Sequence, residues 1–288
     1  MPQTINTHIN SLNAQRNLST SQMSLATSMQ RLSSGLRINA AKDDSAGLAI
    51  AERMTSQVRG MNVAVRNAND GISMAQTAEG ALGKVADSLQ RMRELSVQSS
   101  NATNSGTDRD SMDKEFGELS KEVQRVLGGT SFNGQKMLGA DAKAFTFQVG
   151  ANTTSNDTID ITTTNLTTDA TITVVAGTDN TGAGRASIGA AATNATLKTV
   201  IDNIDTALGT VNDKRAVLGA SQNRFDSVIT NLQISVENQT AAKSRIMDTD
   251  FAAETANLSR SQILQQAGNA MVAQANALPQ QVLKLLQG

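Results

Sequence analysis

The residues able to do chemistry in this sequence are few, and their spacing is poor. A single histidine, His8, cannot supply a zinc cluster or a Ser-His-Asp triad. Cysteine is absent, which removes disulfides, thiolate ligands and cysteine nucleophiles together. The segment "GGTSFNGQK" spaces Gly129 and Gly134 as a phosphate loop does, but Gln135 stands where a lysine has to follow the glycine. Asp43 and Asp44 are adjacent carboxylates without further oxygen ligands at loop spacing, so a helix cap is favoured over a cation site. Sequons at Asn101, Asn152 and Asn165 are expected by chance in a chain this rich in Asn, Ser and Thr. No catalytic residue, cofactor or metal ligand is assigned, and an enzyme is not expected.

The elements that would have to position such residues are long helices. The N-terminal stretch shows a 3-4 alternation of Leu18, Gln22, Leu25, Met29, Leu32 and Leu36, a coiled-coil-like stripe too narrow to be buried by its own helix. "SSGLRINAAKDD" then breaks the pattern. It resumes from Met54 to Leu89 in a helix expected from about Ser45 to Ser100, roughly 80 Å long. Gly60, Gly71, Gly80 and Gly83 each weaken that helix by about 1 kcal/mol relative to Ala. A third helix carries Met112, Phe116, Leu119, Val123 and Val126 on one face. Asn133-Gly134 marks a tight hairpin, with "AFTFQVGAN" expected to pair with it.

From residue 153 to 195 the composition shifts to Thr, Asn, Asp, Ala and Gly, and "TIDIT" and "ATITVV" read as strands in a β-rich surface excursion. Helix returns near Leu197 and is interrupted at "MDTDFAAE". A last 3-4 stripe follows: Leu264, Gly268, Met271, Ala275, Leu278, Val282 and Leu285. Seam helices at both ends have to meet. The expected fold is therefore mainly α, with long antiparallel helices forming a terminal coiled coil and a helical rod bearing a β-hairpin. The divisions fall at 1–44, 45–152, 153–195, 196–245 and 246–288.

Charge and hydropathy restrict the partners. With 25 basic and 26 acidic residues mixed along the chain and 2% aromatics, there is no basic track or stacking platform for nucleic acid. No apolar run reaches the roughly 18 residues that a membrane span needs. The first residues also lack the layout of a cleavable signal peptide. The amphipathic "LPQQVLKLLQG" has one lysine, Lys284, which favours burial in an assembly over a lipid surface.

"SLNAQRNL", "QRLSSGLRINAAKDDSAGLAIAERM", "GTSFNGQKML", "FQVGAN" and "ANALPQQVLKLLQG" resemble bacterial flagellin, in the family's order and over nearly the whole chain outside 153–195. The resemblance implies a secreted subunit that polymerises with itself into the flagellar filament, its terminal helices folding on assembly. The assembly seam would comprise Leu18, Leu25, Met29, Leu32, Leu264, Met271, Leu278, Val282 and Leu285. Implied partners are the flagellar export apparatus and its chaperone, the filament cap and the hook-junction proteins. A hook–filament junction protein is the alternative. Flagellins carrying a metalloprotease module would need an H-E-x-x-H helix, and the middle of this chain has no histidine.

"LQRMRELSVQS" further resembles the flagellin stretch recognised by a vertebrate Toll-like receptor. That resemblance implies a recognition set of Gln90, Arg91, Glu94, Leu95 and Gln98, with Glu115 in support. Arg91 beside an exposed Leu95 has the profile of a binding hot spot. Against this stands a solvated helical face held by its own short-range ion pairs.

Overall fold

A computed structural model describes the backbone of residues 9–286 and the side chains of residues 9–277. His8 lies outside the described residues, as do the side chains of Leu278, Val282 and Leu285. The chain divides into two compact units, Met1–Ser56 with Glu237–Gly288, and Gln57–Val236. The division falls inside two long helices, away from the breaks near residues 44 and 246.

The first unit begins with α1 (Ile9–Ser34). It stops because Gly35 turns into the left-handed region at φ 72°, where a side chain is strained, and donates its N–H back to Arg31 O. The chain then runs extended against a return segment. Leu36 bridges Asp248, Arg37 N–H donates to Met247 O at 2.6 Å, and the Arg37 guanidinium donates to Ile246 O at 2.8 Å. The two interruptions in the sequence are thus two sides of one joint.

Asp43 accepts the N–H groups of Asn39 and Ala40, bonds that hold its carboxyl below the usual range. Asp44 accepts Gly47 N–H at 2.8 Å and so starts α2 (Ser45–Ser99). Asp250 does the same for α6 (Phe251–Leu286), accepting Ala252 N–H at 2.9 Å.

The second unit is built on α2, on α3 (Gly106–Gly129) and on α5 (Asn194–Met247). A reciprocal cap between Ser105 and Asp108 starts α3. The Asn133-Gly134 turn joins β1 (Ser131–Phe132) and β2 (Gln135–Lys136), with positive φ at both residues (49° and 80°), as the tight hairpin turn requires. Along α2 the expected stripe is buried in part: Met61, Ala68, Ala75, Leu82, Ala86 and Leu89 are in the core, while Met54, Val58, Val65, Ile72 and Glu79 are half-buried.

Three expectations about the middle of the chain need correction. The segment "AFTFQ" forms β3 (Ala144–Gln148), but it pairs with β4 (Thr158–Thr162) and leaves the hairpin alone. Alternation decides this, because Phe145 and Phe147 stand opposite Ile161 and Ile159 and share their buried face. "ATITVV" is helical, as α4 (Ala170–Ala176): Asp169 caps its start, Gly177 at φ 81° ends it, and Ile172 and Val175 fall on one buried face.

The region is also no surface excursion. Ile159, Ile161, Leu166, Ile172, Val175 and Ile188 are all buried in the same core as α2, α3 and α5. Helices that present Ala at so many core positions leave volume to be filled, and the central segment supplies branched side chains for it. Arg185 fastens the segment to α3. Its guanidinium donates to both carboxylate oxygens of Asp113 at 3.0 and 2.7 Å, and Asp113 also accepts Ile188 N–H.

Among the described residues, no helix is long and apolar enough to cross a membrane.

Candidate assembly surface

In the first unit α1 and α6 pack against each other. Three contacts fix their direction: Ser11 Oγ donates to Asn276 Oδ1 at 2.6 Å, Leu18 covers Gly268, and Arg31 approaches Glu254 at 3.8 Å. As the first partner advances the second retreats, so the pair is antiparallel.

The seam of this pair follows a different register from the expected stripe. On α1 it uses Ser11, Ala14, Leu18, Ser21, Leu25, Ser28 and Leu32, while Gln22 and Met29 turn outward. On α6 it uses Glu254, Leu258, Ser261, Gln265, Gly268, Val272 and Ala275. The physical reason is close approach. A Cβ on Gly268 would sit 3.1 Å from Leu18 Cδ1, and such proximity favours Ser and Gly over larger apolar residues at alternate seam positions. Ser21 and Ser28, seven residues apart, were the available signal, but hydroxyl-bearing residues do not count in a hydrophobic stripe.

Leu18, Leu25 and Leu32 are therefore half-buried within the pair. Met29, Leu264 and Met271 are 52%, 50% and 61% exposed, and Leu12, Met23 and Ile263 join them as large apolar side chains left in solvent. Grooves flank the seam. Met23, Arg31, Glu254 and Leu264 line one, and Asn17, Leu18, Leu264 and Met271 line another. Chemically this surface offers apolar side chains and polar amides, and among the described residues no group of three or more His, Cys, Asp and Glu could hold a metal ion.

The second surface lies on α2 and α3. Arg91 Nε donates to Glu115 Oε1 and its Nη1 donates to Glu94 Oε2, both at 2.9 Å. The hydrogen bond it donates to Glu115, then the one it donates to Glu94, raises the pKa of the Arg91 guanidinium above its already high ordinary value. Gln90, Glu94, Gln98 and Glu115 are exposed with Arg91. Leu95 does not join them. It is 1% exposed, packed in the core with Leu89, Met92 and Phe116, so the expectation of an exposed leucine beside Arg91 is corrected. The reason is helical spacing: Leu95 follows Met92 by three residues and Leu89 by six, on the face turned toward the core.

Comparison with known proteins agrees with this architecture at the level of sequence. The family profile described as the bacterial flagellin N-terminal helical region matches residues 5–143, and the one described as the bacterial flagellin C-terminal helical region matches 201–286. A flagellin from Halalkalibacterium halodurans is 46% identical over 283 residues, spanning 98% of this chain and 99% of that one. One from Xenorhabdus nematophila is 45% identical over 315 aligned residues and spans all of both chains. Among solved structures, a Bacillus cereus flagellin is 33% identical over 58% of this chain and 88% of its own, with a TM-score of 0.48. Two matched terminal regions flanking the inserted middle, together with full-length relatives, establish that the chain belongs to the bacterial flagellin family.

Proposed function

We infer that this chain is a structural subunit of a bacterial flagellar filament and polymerises with copies of itself. The observation that carries the reading is the α1–α6 pair. Its seam alternates a few half-buried leucines with small and polar residues, while Leu12, Met23, Met29, Ile263, Leu264 and Met271 stand in solvent. Two helices carrying that much uncovered apolar surface gain most by burying it against another subunit. A repeated head-to-tail contact that does not close then makes an open helical polymer.

Because the internal seam is thin, the pair is the part of the subunit whose order depends most on neighbours, and polymerisation is coupled to its folding. The seam assignment of Leu18, Leu25 and Leu32 is then within a subunit, and that of Met29, Leu264 and Met271 is between subunits. Leu278, Val282 and Leu285 continue the same helix toward the end of the chain. Family membership supports secretion through the flagellar export apparatus with a chaperone, and contact with cap and hook-junction proteins.

Seeded polymerisation followed by electron microscopy tests the reading. Long filaments are expected from the full chain, and soluble monomer from a Met29→Ser, Leu264→Ser, Met271→Ser variant whose circular dichroism is unchanged. Filaments from that variant as long as those of the unmodified chain would rule the surface out.

For recognition by a vertebrate Toll-like receptor, the exposed set Gln90, Arg91, Glu94, Gln98 and Glu115 is the surface we propose, with Leu95 acting by holding α2 in place. A reporter assay on monomer should lose response on Arg91→Ala while thermal stability is unchanged. An undiminished response would remove Arg91 from the proposal.

A further inference from the structure

The described methionines divide sharply by environment. Met92 and Met137 are fully buried, Met61 and Met74 nearly so, and Met54, Met112 and Met247 are partly covered. The three that stand in solvent are Met23, Met29 and Met271, at 61%, 52% and 61% exposure, and all three lie on the α1–α6 pair. The chain has no cysteine, so no thiolate competes for an electrophilic oxidant, and these thioethers are the most accessible soft nucleophiles among the described residues.

We propose that Met23, Met29 and Met271 form an oxidation-sensitive set through which a peroxide blocks subunit assembly, reversibly and only before polymerisation. The inference rests on the reading of the α1–α6 surface as the contact between subunits. A sulfur lone pair attacks one peroxide oxygen, forming the S–O bond and breaking the O–O bond. The sulfur loses two electrons, the departing oxygen gains them and leaves as water after proton transfer, and the product is a methionine sulfoxide.

That change replaces a flexible apolar side chain with one carrying a strong hydrogen-bond acceptor. In the free subunit the sulfoxide stays hydrated and the fold is unaffected, because none of the three side chains is in the unit cores. In an assembly it has to be stripped of water without a designed donor opposite. Met23 and Met271 line the two grooves that flank the seam, each shared with Leu264, so oxidation alters both.

The test exposes monomer, and separately preformed filament, to hydrogen peroxide and follows each methionine by peptide mass spectrometry. In monomer the three should oxidise several-fold faster than Met92 and Met137, and in filament they should be protected to a similar degree. The oxidised monomer should need about tenfold or more protein to polymerise, and methionine sulfoxide reductases should restore it. A Met23→Leu, Met29→Leu, Met271→Leu variant, close in volume to the original, should polymerise before and after peroxide alike.

Normal polymerisation by fully oxidised monomer overturns the proposal, as does equal oxidation of the three in monomer and filament. Should the leucine variant assemble poorly, reductase treatment of the oxidised, unmodified chain decides instead: recovered polymerisation supports the set, and no recovery overturns it. Failure of the untreated chain to polymerise at all instead overturns the filament reading.

Discussion

The glycines of α2 make the most discriminating test of the core. Four of them interrupt a helix that would gain about 1 kcal/mol from alanine at each, were propensity the only effect. Gly80 and Gly83 face open space, whereas a Cβ on Gly71 would meet Phe225 Cζ at 2.8 Å and both Cε atoms at 3.1 Å. Carbon atoms in contact sit about 3.5–4.0 Å apart, so the ring would have to retreat by roughly 0.7–1.2 Å.

It has little freedom to do so. Phe225 is fully buried and packs edge-on against Phe147, with ring centroids 5.6 Å apart. Overpacking of that kind costs about 1–3 kcal/mol. Gly71→Ala should therefore be destabilising by about 0–2 kcal/mol, while Gly80→Ala in the same helix is stabilising by up to about 1 kcal/mol. Propensity cancels in the difference between the two variants, which isolates the packing effect at about 1–3 kcal/mol.

Urea unfolding of the full monomer, followed by far-ultraviolet circular dichroism, measures both, with midpoints compared at equal slope. A Gly71→Ala midpoint raised as much as that of Gly80→Ala would refute the packing of Phe225 against α2.

Three further outcomes follow from the same packing and capping contacts. Leu95→Ala should destabilise the monomer by about 2–5 kcal/mol through a core cavity, while Arg91→Ala, at an exposed pair, leaves the stability almost unchanged; thermal melts separate them, and similar melting temperatures would contradict the burial of Leu95. Asp44→Ala should remove the cap of α2 at about 1 kcal/mol, read as a lower urea midpoint, and no change would argue against the cap. Burial pushes the Asp113 carboxyl up, but hydrogen bonds from Arg185, Ile188 N–H and Ser187 with the Arg185 charge outweigh it and hold it low. Its stabilisation is therefore present above the unfolded value of about 3.9 and is lost as pH falls through the lower folded value, so Asp113→Asn should flatten the acid limb of stability against pH in that range.

The long helices and their stops were legible in the sequence because the signals are local: Ser-Ser-Gly before residue 36, Asp44 as a cap, the break at "MDTDFAAE", Asn-Gly in the hairpin. Features set by what lies opposite were not. The choice between Ser28 and Met29 for the seam depends on how closely Gly268 lets α6 approach. Leu95 is a different case: its spacing from Met92 and Leu89 already placed it on the core face, and a hot-spot profile drawn from residue types overlooked that. "ATITVV" carries the β-branched residues of a strand, yet a cap at each end and one buried face hold it as a short helix. The exposed set around Arg91 was recoverable from spacing once Leu95 was turned inward.

The joint and the terminal pair also constrain the order in which the chain can become structured. Ser11 meets a partner 265 positions away, and Arg37 one that is 209 positions away. Closing loops of that length precedes any gain from the contacts they allow, so such pairings form late and slowly compared with the helices themselves. A chain emerging from its N-terminus has no partner for α1 until almost every residue has followed, and the first helix written in the sequence is among the last to find its place.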